Sequence, residues 1–113
     1  MGVVAGSSVL RGDVYLVDLS PTRGREIRKT RPCVIVSPDE LNAHLRTFIV
    51  APLTTGSHSY PFRISCRFQG RSGHVVLDQI RTVDRERLSR RLGKVPTGTL
   101  TKVLSALQEM FAL

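Results

Sequence analysis

The 113-residue chain is poor in several residue types, and each shortage excludes a class of protein. It has no Trp and only 5% aromatic residues, which excludes a protein that stacks many nucleobases on aromatic side chains. Its two cysteines, Cys33 and Cys66, lie in separate apolar runs, and with three scattered histidines they make no zinc-binding spacing. We therefore expect no metal and no other cofactor, and buried free thiols in a reducing cytoplasm.

Long apolar segments are also missing. The longest run, Phe48 to Leu53, contains Pro52 and is far shorter than the roughly 20 residues that cross a bilayer. The first residues lack the basic start and apolar core of a signal peptide. We expect a flexible N-terminus over residues 1–9, a single domain over residues 10–113 and no membrane contact.

Acidic residues are scarce, and this shortage leaves an excess of positive charge. The chain has 9 Asp and Glu against 17 Lys and Arg, a formal net charge of +8, which predicts RNA, DNA or an acidic protein as partner. The basic residues cluster between Arg23 and Arg31 and between Arg81 and Lys94. Such runs are usually solvated faces, but the first lies in a long loop, and long loops in small domains tend to be functional.

Alternating apolar and polar residues dominate the first two thirds of the chain and predict short β-strands. We expect strands at 12–19, 33–36, 47–53, 62–67, 74–80 and 92–95. Ser37 as N-cap, with Pro38 and Glu40, predicts a short helix after the second strand, and Asp84 predicts a helical turn through Leu88.

Apolar residues at helical spacing predict a C-terminal helix that packs on the core. They are Leu100, Val103, Leu104, Leu107, Met110 and Phe111. Many short strands followed by one helix indicate a fold that is mainly β with α, built as a small curled sheet or barrel.

RNA can be cleaved through its own 2′-hydroxyl without a metal or a histidine pair. The reaction needs a group that holds or deprotonates the 2′-OH, a cation for the charge on the phosphorane, and a proton for the 5′-oxygen. An Arg can meet the second need, and the third if its pKa is lowered, while a Thr hydroxyl can bond the 2′-OH or a phosphate oxygen. Both residue types are common on surfaces, so composition alone selects no position.

Four short motifs in a fixed order narrow the choice. They read RGDVYLVDLSP from Arg11, RPCVIVS from Arg31, VAPLTT from Val50 and VVLDQIRTVD from Val75. In this order and spacing, the chain from about Arg11 to Leu113 resembles the MazF/PemK (Kid) toxins of type II toxin–antitoxin systems. The resemblance implies a homodimer of small SH3-like β-barrels of the CcdB/MazF type, each with a C-terminal helix.

The same resemblance implies an activity and partners. Toxins of this family are metal-independent endoribonucleases that cut single-stranded mRNA at short sequences and leave a 2′,3′-cyclic phosphate and a 5′-hydroxyl. A cognate antitoxin protein blocks the RNA groove, and DNA is contacted only through the antitoxin complex. The net positive charge suits both RNA and an acidic antitoxin.

Carried over residue by residue, the family's catalytic Arg falls on Arg31 and its catalytic Thr on Thr54. Arg31 would stabilise the phosphorane, and Thr54 would orient the 2′-OH or the scissile phosphate. The alternatives without function are that Arg31 is a surface Arg at the end of a loop and that Thr54 is a turn Thr bonded to its own backbone. Thr55 is the alternative if the register slips by one. The residues expected to contact RNA are Arg25, Glu26, Arg28, Lys29, Thr55, His58, Asp78, Gln79 and Arg81.

The sequence departs from the family in two places. The family loop pattern Gly-x-Glu-Gln-x-Gly is met from Gly24 by GREIRK, which keeps Glu26 but replaces the Gln and the later Gly. The Kid branch also has an Arg two residues before the Asp of its Asp-Gln pair and uses that Asp–Arg pair in catalysis. Here that position is Val76, which leaves open whether Asp78 acts as a base or bonds loop amides.

Other functions remain open at this point. A nucleic-acid-binding SH3-like module without catalysis would share the basic charge, and an inactive relative could serve mainly to bind a small acidic protein. A gyrase-inhibiting toxin of the CcdB type is less well supported, because those toxins lack the Arg-Pro and Leu-Thr pairs.

Overall fold

The alternating segments fold into one antiparallel sheet. The computed structural model describes residues 9–56 and 59–113, and within them it contains seven strands, two α-helices and two single 3-10 turns. The strands are β1 Asp13–Asp18, β2 Thr30–Ile35, β3 Thr47–Thr55, β4 Arg63–Phe68, β5 Arg71–Val76, β6 Arg81–Asp84 and β7 Leu88–Lys94. The helices are α1 Asp39–His44 and α2 Thr97–Met110, and the 3-10 turns are Leu77–Gln79 and Arg85–Arg87.

The longest strand, β3, organises the sheet, whose strand order is β4-β5-β3-β2-β1-β7 with β6 paired to β3. The first part of β3 pairs with β6 and β2, and its last three residues, from Leu53, pair with β5. The ladder with β2 ends at the pair Cys33–Pro52. Proline has no N–H to donate to a ladder, so β3 changes partner where Pro52 stands.

The sheet curls until its two edge strands, β4 and β7, approach one another. The Gln69 side-chain amide donates to the carbonyl oxygen of Leu92 at 3.2 Å, and the Phe68 ring lies against Gly93. Side chains rather than a backbone ladder therefore link β4 and β7 in the described chain. The prediction of a mainly β fold with a short helix and a C-terminal helix is confirmed, although the sheet is bent like a barrel without closing.

Both faces of the sheet are buried near its centre. Consecutive residues of β1 point into different apolar clusters, Val14 into one and Tyr15 into the other, as the two-residue period of a strand requires. Helix α2 covers the cluster of Val14, with Val103 fully buried and Leu100, Leu107 and Met110 packed beside it. The predicted apolar face is wrong for Phe111, which lies beyond the helix end and is 71% exposed.

Several local predictions differ from the structure. Helix α1 begins at Asp39 after Pro38 with no side-chain cap, because the Ser37 hydroxyl donates to Asn42 Oδ1 at 2.6 Å and accepts from the Ile49 N–H. Ser37 therefore ties α1 to β3. The strand predicted over 74–80 starts earlier, at Arg71, and ends at Val76, where a 3-10 turn leads into the short, unpredicted strand β6.

The start of the described chain is anchored. Val9, at the end of the segment expected to be flexible, is 5% exposed and belongs to the core. The buried Asp13 carboxylate accepts from the Leu10 N–H at 3.0 Å and pairs with Arg91 at 3.1 Å. No helix in the described part of the chain has the length and hydropathy to span a bilayer.

Candidate functional site

The first loop, residues 19–29, is fastened to the sheet by specific hydrogen bonds. The side-chain oxygen of Gln79 accepts from the Ile27 N–H at 2.7 Å, and the Leu19 N–H donates to the Lys29 carbonyl at 3.0 Å. Arg81 donates to the Leu19 carbonyl at 2.9 Å. Gln79 and Arg81, both expected to contact RNA, therefore also hold this loop in place.

The second basic cluster supports β1. Besides Arg81, the guanidinium of Arg87 donates to the carbonyls of Asp18 and Ser20, and Arg91 pairs with Asp13. At least three of its six cations are thus used in the fold. The cations of the first loop are exposed to solvent, and they are Arg23, Arg25, Arg28 and Lys29.

A groove of three adjoining cavities runs beside the first loop. The cavities measure about 600, 470 and 380 Å³, which is within the size range of ligand sites. The first and second share Arg25 and Gln79, and the second and third share Thr54 and Thr55. Five of the predicted RNA-contacting residues line the first cavity, namely Arg25, Glu26, Asp78, Gln79 and Arg81, whereas Arg28 and Lys29 lie on the exposed loop outside these three cavities.

The two predicted catalytic residues meet in the third cavity. Arg31 and Thr54 each lie two residues beyond the last β2–β3 pair, Cys33–Pro52, so both strands carry them to the same opening of the sheet. Arg31 is exposed and its Nε donates to the Arg28 carbonyl at 3.2 Å, while Thr54 is half-buried. A cationic residue and a residue with a hydroxyl group therefore line one solvent-accessible space.

Strand β5 fixes the backbone of Thr54 from the other side. Thr54 pairs with His74, and Thr55 with Gly73. A Cβ at Gly73 would lie 1.7 Å from the Thr54 carbonyl oxygen, a distance that no side chain can tolerate. The absence of a side chain at Gly73 is what allows β5 to approach β3 this closely.

His74 also lines the second cavity, together with Thr54, and is 8% exposed. No role for His74 is predicted from the sequence, because histidines that are separated along the chain need not meet in the fold. Its place depends on the pairing of β3 with β5, which alternation within either strand does not reveal. His58, predicted to touch RNA, lies outside the described residues.

Asp78 does have an arginine partner, supplied by another strand. Arg63 of β4 binds it with two hydrogen bonds, Nε to Oδ1 at 3.0 Å and Nη2 to Oδ2 at 2.9 Å. Arg63 is the cross-strand neighbour of Val76, the position at which the Kid branch has its Arg. The hydrogen bond from Arg63 is the main cause that lowers the pKa of Asp78 from its ordinary value of 3.8.

The first loop, which departs from the family pattern in sequence, keeps a turn at Glu26 and a left-handed residue at Lys29. The Glu26 carboxylate accepts from the Arg23 N–H at 2.6 Å, and the Glu26 N–H donates to the Arg23 carbonyl, so Glu26 closes a turn. Lys29 occupies the position of the later Gly in the family pattern and has a φ of +69°. The left-handed conformation that glycine adopts freely is therefore retained with a lysine, which adds a cation at some cost in strain.

Both cysteines are free thiols within the core strands. Burial raises the pKa of Cys33 to about 12, although the charge of Arg81 acts in the opposite direction, and burial also raises the pKa of Cys66. A thiol with a raised pKa is a poor nucleophile at neutral pH. In the described residues, no three His, Cys, Asp or Glu side chains lie together as a metal site.

Known proteins are similar to this chain in sequence. The chain is 34% identical over 105 residues to the endoribonuclease MazF of Staphylococcus epidermidis, covering 88% of each. It is 37% identical over 107 residues to the endoribonuclease PemK of Escherichia coli, covering 89% of this chain and 80% of that one.

Solved structures agree with the sequence comparison. MazF of Deinococcus radiodurans superimposes with a TM-score of 0.81 at 26% identity, over 93% of this chain and 97% of that one. A mycobacterial endoribonuclease in complex with its cognate antitoxin gives 0.76 at 29% identity, over 90% and 93%. The profile of the PemK-like, MazF-like toxins of type II toxin–antitoxin systems matches residues 10–111. The resemblance inferred from the four motifs is confirmed, and the chain belongs to this toxin family.

Proposed function

We propose that this protein is the toxin of a type II toxin–antitoxin module and cleaves single-stranded mRNA. The observation that carries the proposal is the meeting of Arg31 and Thr54 in one open cavity, at the end of a groove bordered by the cations of the first loop. Relatives that match most of the chain are named endoribonucleases. Fold and family alone do not assign an activity, so the site carries the proposal.

The chemistry is a transesterification within the RNA. The 2′-oxygen attacks the adjacent phosphorus, the bond from phosphorus to the 5′-oxygen breaks, and the proton lost by the 2′-OH is balanced by one gained at the 5′-oxygen. The products are a 2′,3′-cyclic phosphate and a 5′-hydroxyl. Thr54 holds the 2′-OH or a phosphate oxygen in line, and Arg31 stabilises the charge that builds up on the phosphorane.

Asp78 serves this site better as an anchor than as a base. A carboxylate whose pKa lies below its ordinary value holds a proton weakly, and a general base works best when its pKa is close to the working pH. Its two hydrogen bonds from Arg63 give it a defined structural task. We therefore assign proton removal from the 2′-OH to water or to another group.

We assign RNA and the antitoxin to the same groove. Single-stranded RNA is placed along Arg25, Gln79 and the exposed Arg28 and Lys29, with phosphates on the cations. We also propose a homodimer, a cytoplasmic location and a cognate antitoxin that occupies the groove, with DNA contacted only through the antitoxin complex. Solved structures of related toxins with bound antitoxin support the antitoxin assignment.

Cleavage of a long single-stranded RNA in the presence of EDTA tests the proposal. We expect the wild-type protein to cut, and Arg31→Ala to lower the rate by a factor of about 10² to 10³, the usual cost of removing one group that stabilises transition-state charge. Thr54→Val, which keeps the shape but removes the hydroxyl, should also lower the rate. Arg90→Ala, at an exposed position of β7, is the matched control and should cut like the wild type.

Each outcome has a clear meaning. Intact RNA that is nevertheless retained by the wild-type protein would favour a non-catalytic binding module. Full activity of a folded Arg31→Ala variant would remove Arg31 from the mechanism. Growth arrest on expression of the wild type, but not of Arg31→Ala, would connect cleavage with toxicity.

A further inference from the structure

One aromatic ring stands exposed in the second cavity. Tyr60 is 55% exposed and lines this cavity together with Thr54 and Thr55. The chain has only 5% aromatic residues, and of its two exposed aromatic residues in the described parts, Tyr60 and Phe111, Tyr60 lines a cavity of the groove. Its position next to the proposed catalytic threonine calls for an explanation that the cleavage step itself does not supply.

The ring is supported from one side by an arginine. The guanidinium carbon of Arg63 lies 4.8 Å from the centroid of the Tyr60 ring, which is within the range of a cation–π contact. Arg63 thus covers one face of the ring. Tyr60 is nevertheless 55% exposed, so Arg63 leaves much of the residue open to solvent.

Arg63 is in turn held in a fixed plane. Its two hydrogen bonds to Asp78 form a bidentate pair, the geometry that restricts a guanidinium most strongly. Asp78 is carried by the 3-10 turn whose Gln79 also anchors the first loop, so the unit is built on ordered backbone. Tyr60, Arg63 and Asp78 together form what we call the Tyr60 platform.

We propose that the Tyr60 platform is a nucleobase-binding subsite, on which one base next to the scissile phosphate stacks against the open face of Tyr60. The inference rests on the proposed ribonuclease function and adds the binding of a base to it. Proteins that bind single strands commonly pair a cationic groove for the phosphates with an aromatic ring for a base. Here Arg25 provides a cation at the same cavity, and Thr54 lies on its wall.

The platform gives a reason for the pairing of Asp78 with Arg63 of β4. A guanidinium that is free to rotate would leave the ring without a constant support, whereas the two hydrogen bonds to Asp78 restrict the orientation of the Arg63 guanidinium. Asp78 and Arg63 are therefore positioning residues, and Tyr60 is the residue that contacts the base. The scarcity of aromatic residues excludes many stacked bases but is compatible with one.

Binding of a non-cleavable probe tests the proposal on the full chain. The probe is a fluorescein-labelled, mixed-sequence eight-nucleotide RNA with a 2′-O-methyl group at every position, which removes the attacking hydroxyl. We expect Tyr60→Ala to weaken binding by about tenfold, since loss of one stacked base has an effect of this order. Tyr60→Phe should bind like the wild type, and Phe111→Ala, which removes an aromatic residue exposed at the end of α2, is the matched control.

The salt dependence distinguishes stacking from charge. Tyr60→Ala should leave the slope of log K against log salt unchanged, because no phosphate contact is lost. Arg63→Gln and Asp78→Asn should weaken binding several-fold more than the control Arg67→Gln. Arg67 lies on the same strand as Arg63, but its guanidinium donates to the Ser72 hydroxyl rather than to Asp78. Equal effects of Arg63→Gln and Arg67→Gln would show that only net charge matters and would overturn the role of the pair.

The inference and the proposed function can fail separately. If the wild type cuts RNA while Tyr60→Ala binds the probe as tightly as Tyr60→Phe, the subsite is refuted and the ribonuclease stands. If the wild type cuts no RNA in EDTA, the proposed function fails whatever Tyr60 does. Where both hold, sequencing of the cut ends should show a weaker base preference at one position for Tyr60→Ala than for Tyr60→Phe.

Discussion

At the scale of single residues, the pKa of the Asp78 carboxyl reports whether its ion pair with Arg63 forms. The hydrogen bond from Arg63 stabilises the charged form and lowers the pKa of Asp78 below 3.8. A group with a lowered pKa in the folded state contributes stability above its unfolded pKa and loses it as the pH falls through the folded pKa. The pair is therefore fully present at neutral pH and is lost only in the acid range, below the ordinary value of Asp78.

We expect the carboxyl resonance of Asp78, followed by ¹³C NMR, to titrate below 3.8 in the wild type and closer to the ordinary value in Arg63→Gln. The reason is that the substitution removes the largest cause of the shift. Arg67→Gln, which leaves the bidentate pair intact, should keep the low value. An unchanged titration in Arg63→Gln would mean that the pair does not form in solution.

At the scale of elements, the close approach of β5 to β3 positions Thr54. We expect Gly73→Ala to destabilise the protein by about 3 kcal/mol, near the upper end of overpacking effects, because the methyl group would meet backbone rather than a flexible side chain. Cleavage should fall even below the melting transition, since β3 can relieve the clash only by moving Thr54.

The matched control is Gly98→Ala. Gly98 lies in the first turn of α2, with no atom near the position of an added Cβ, and alanine favours helix over glycine. This variant should be as stable as the wild type or slightly more so. If thermal melting and cleavage of Gly73→Ala match those of Gly98→Ala, the packing of β5 on β3 does not control Thr54.

Elements also show how far a sequence can predict this molecule. Alternation within β1 and β4 and helical spacing within α2 are local signals, so the fold class and the long helix were predicted. Strand β6 has only four residues and shows too little alternation to be seen. The meeting of Arg63 with Asp78 depends on the register that sets Arg63 opposite Val76, and the meeting of Thr54 with His74 depends on the partner change at Pro52. Neither pairing is encoded in one strand alone.

The departure at Ser37 has the same origin. A serine before Pro38 and Glu40 has the pattern of a capping box, but its hydroxyl finds a buried amide in Asn42 and a backbone N–H in β3. Tertiary contacts thus outweigh the local preference of the residue. Arg31 and Thr54 were predicted from motifs, and the structure adds that both line one cavity.

At the scale of the whole molecule, the net charge of +8 is divided between two tasks. The cations of the second cluster that bond β1 and the first loop serve the fold, and the exposed cations of the first loop are available to phosphates. Equal changes in charge should therefore have different consequences in the two clusters. The binding of RNA and the stability of the fold can be measured separately to show this.

We expect Arg28→Gln and Arg25→Gln each to reduce the slope of log K against log salt by about 0.7, the value for one contact with a single strand, while the melting temperature stays unchanged. Arg91→Gln removes the same charge, but it deprives the buried Asp13 carboxylate of its ion-pair partner. It should lower the melting temperature by about 5 °C and leave the slope as it is.

The opposite pattern would contradict this division of charge. A reduced slope in Arg91→Gln with no loss of stability would place RNA on β7, away from the groove beside the first loop. An unchanged slope in both loop variants would remove the loop from the phosphate path. Because the antitoxin is proposed to occupy the same groove, the loop variants should weaken its binding as well, whereas Arg91→Gln should affect it only through stability. One set of substitutions thus tests whether RNA and antitoxin compete for the same cations.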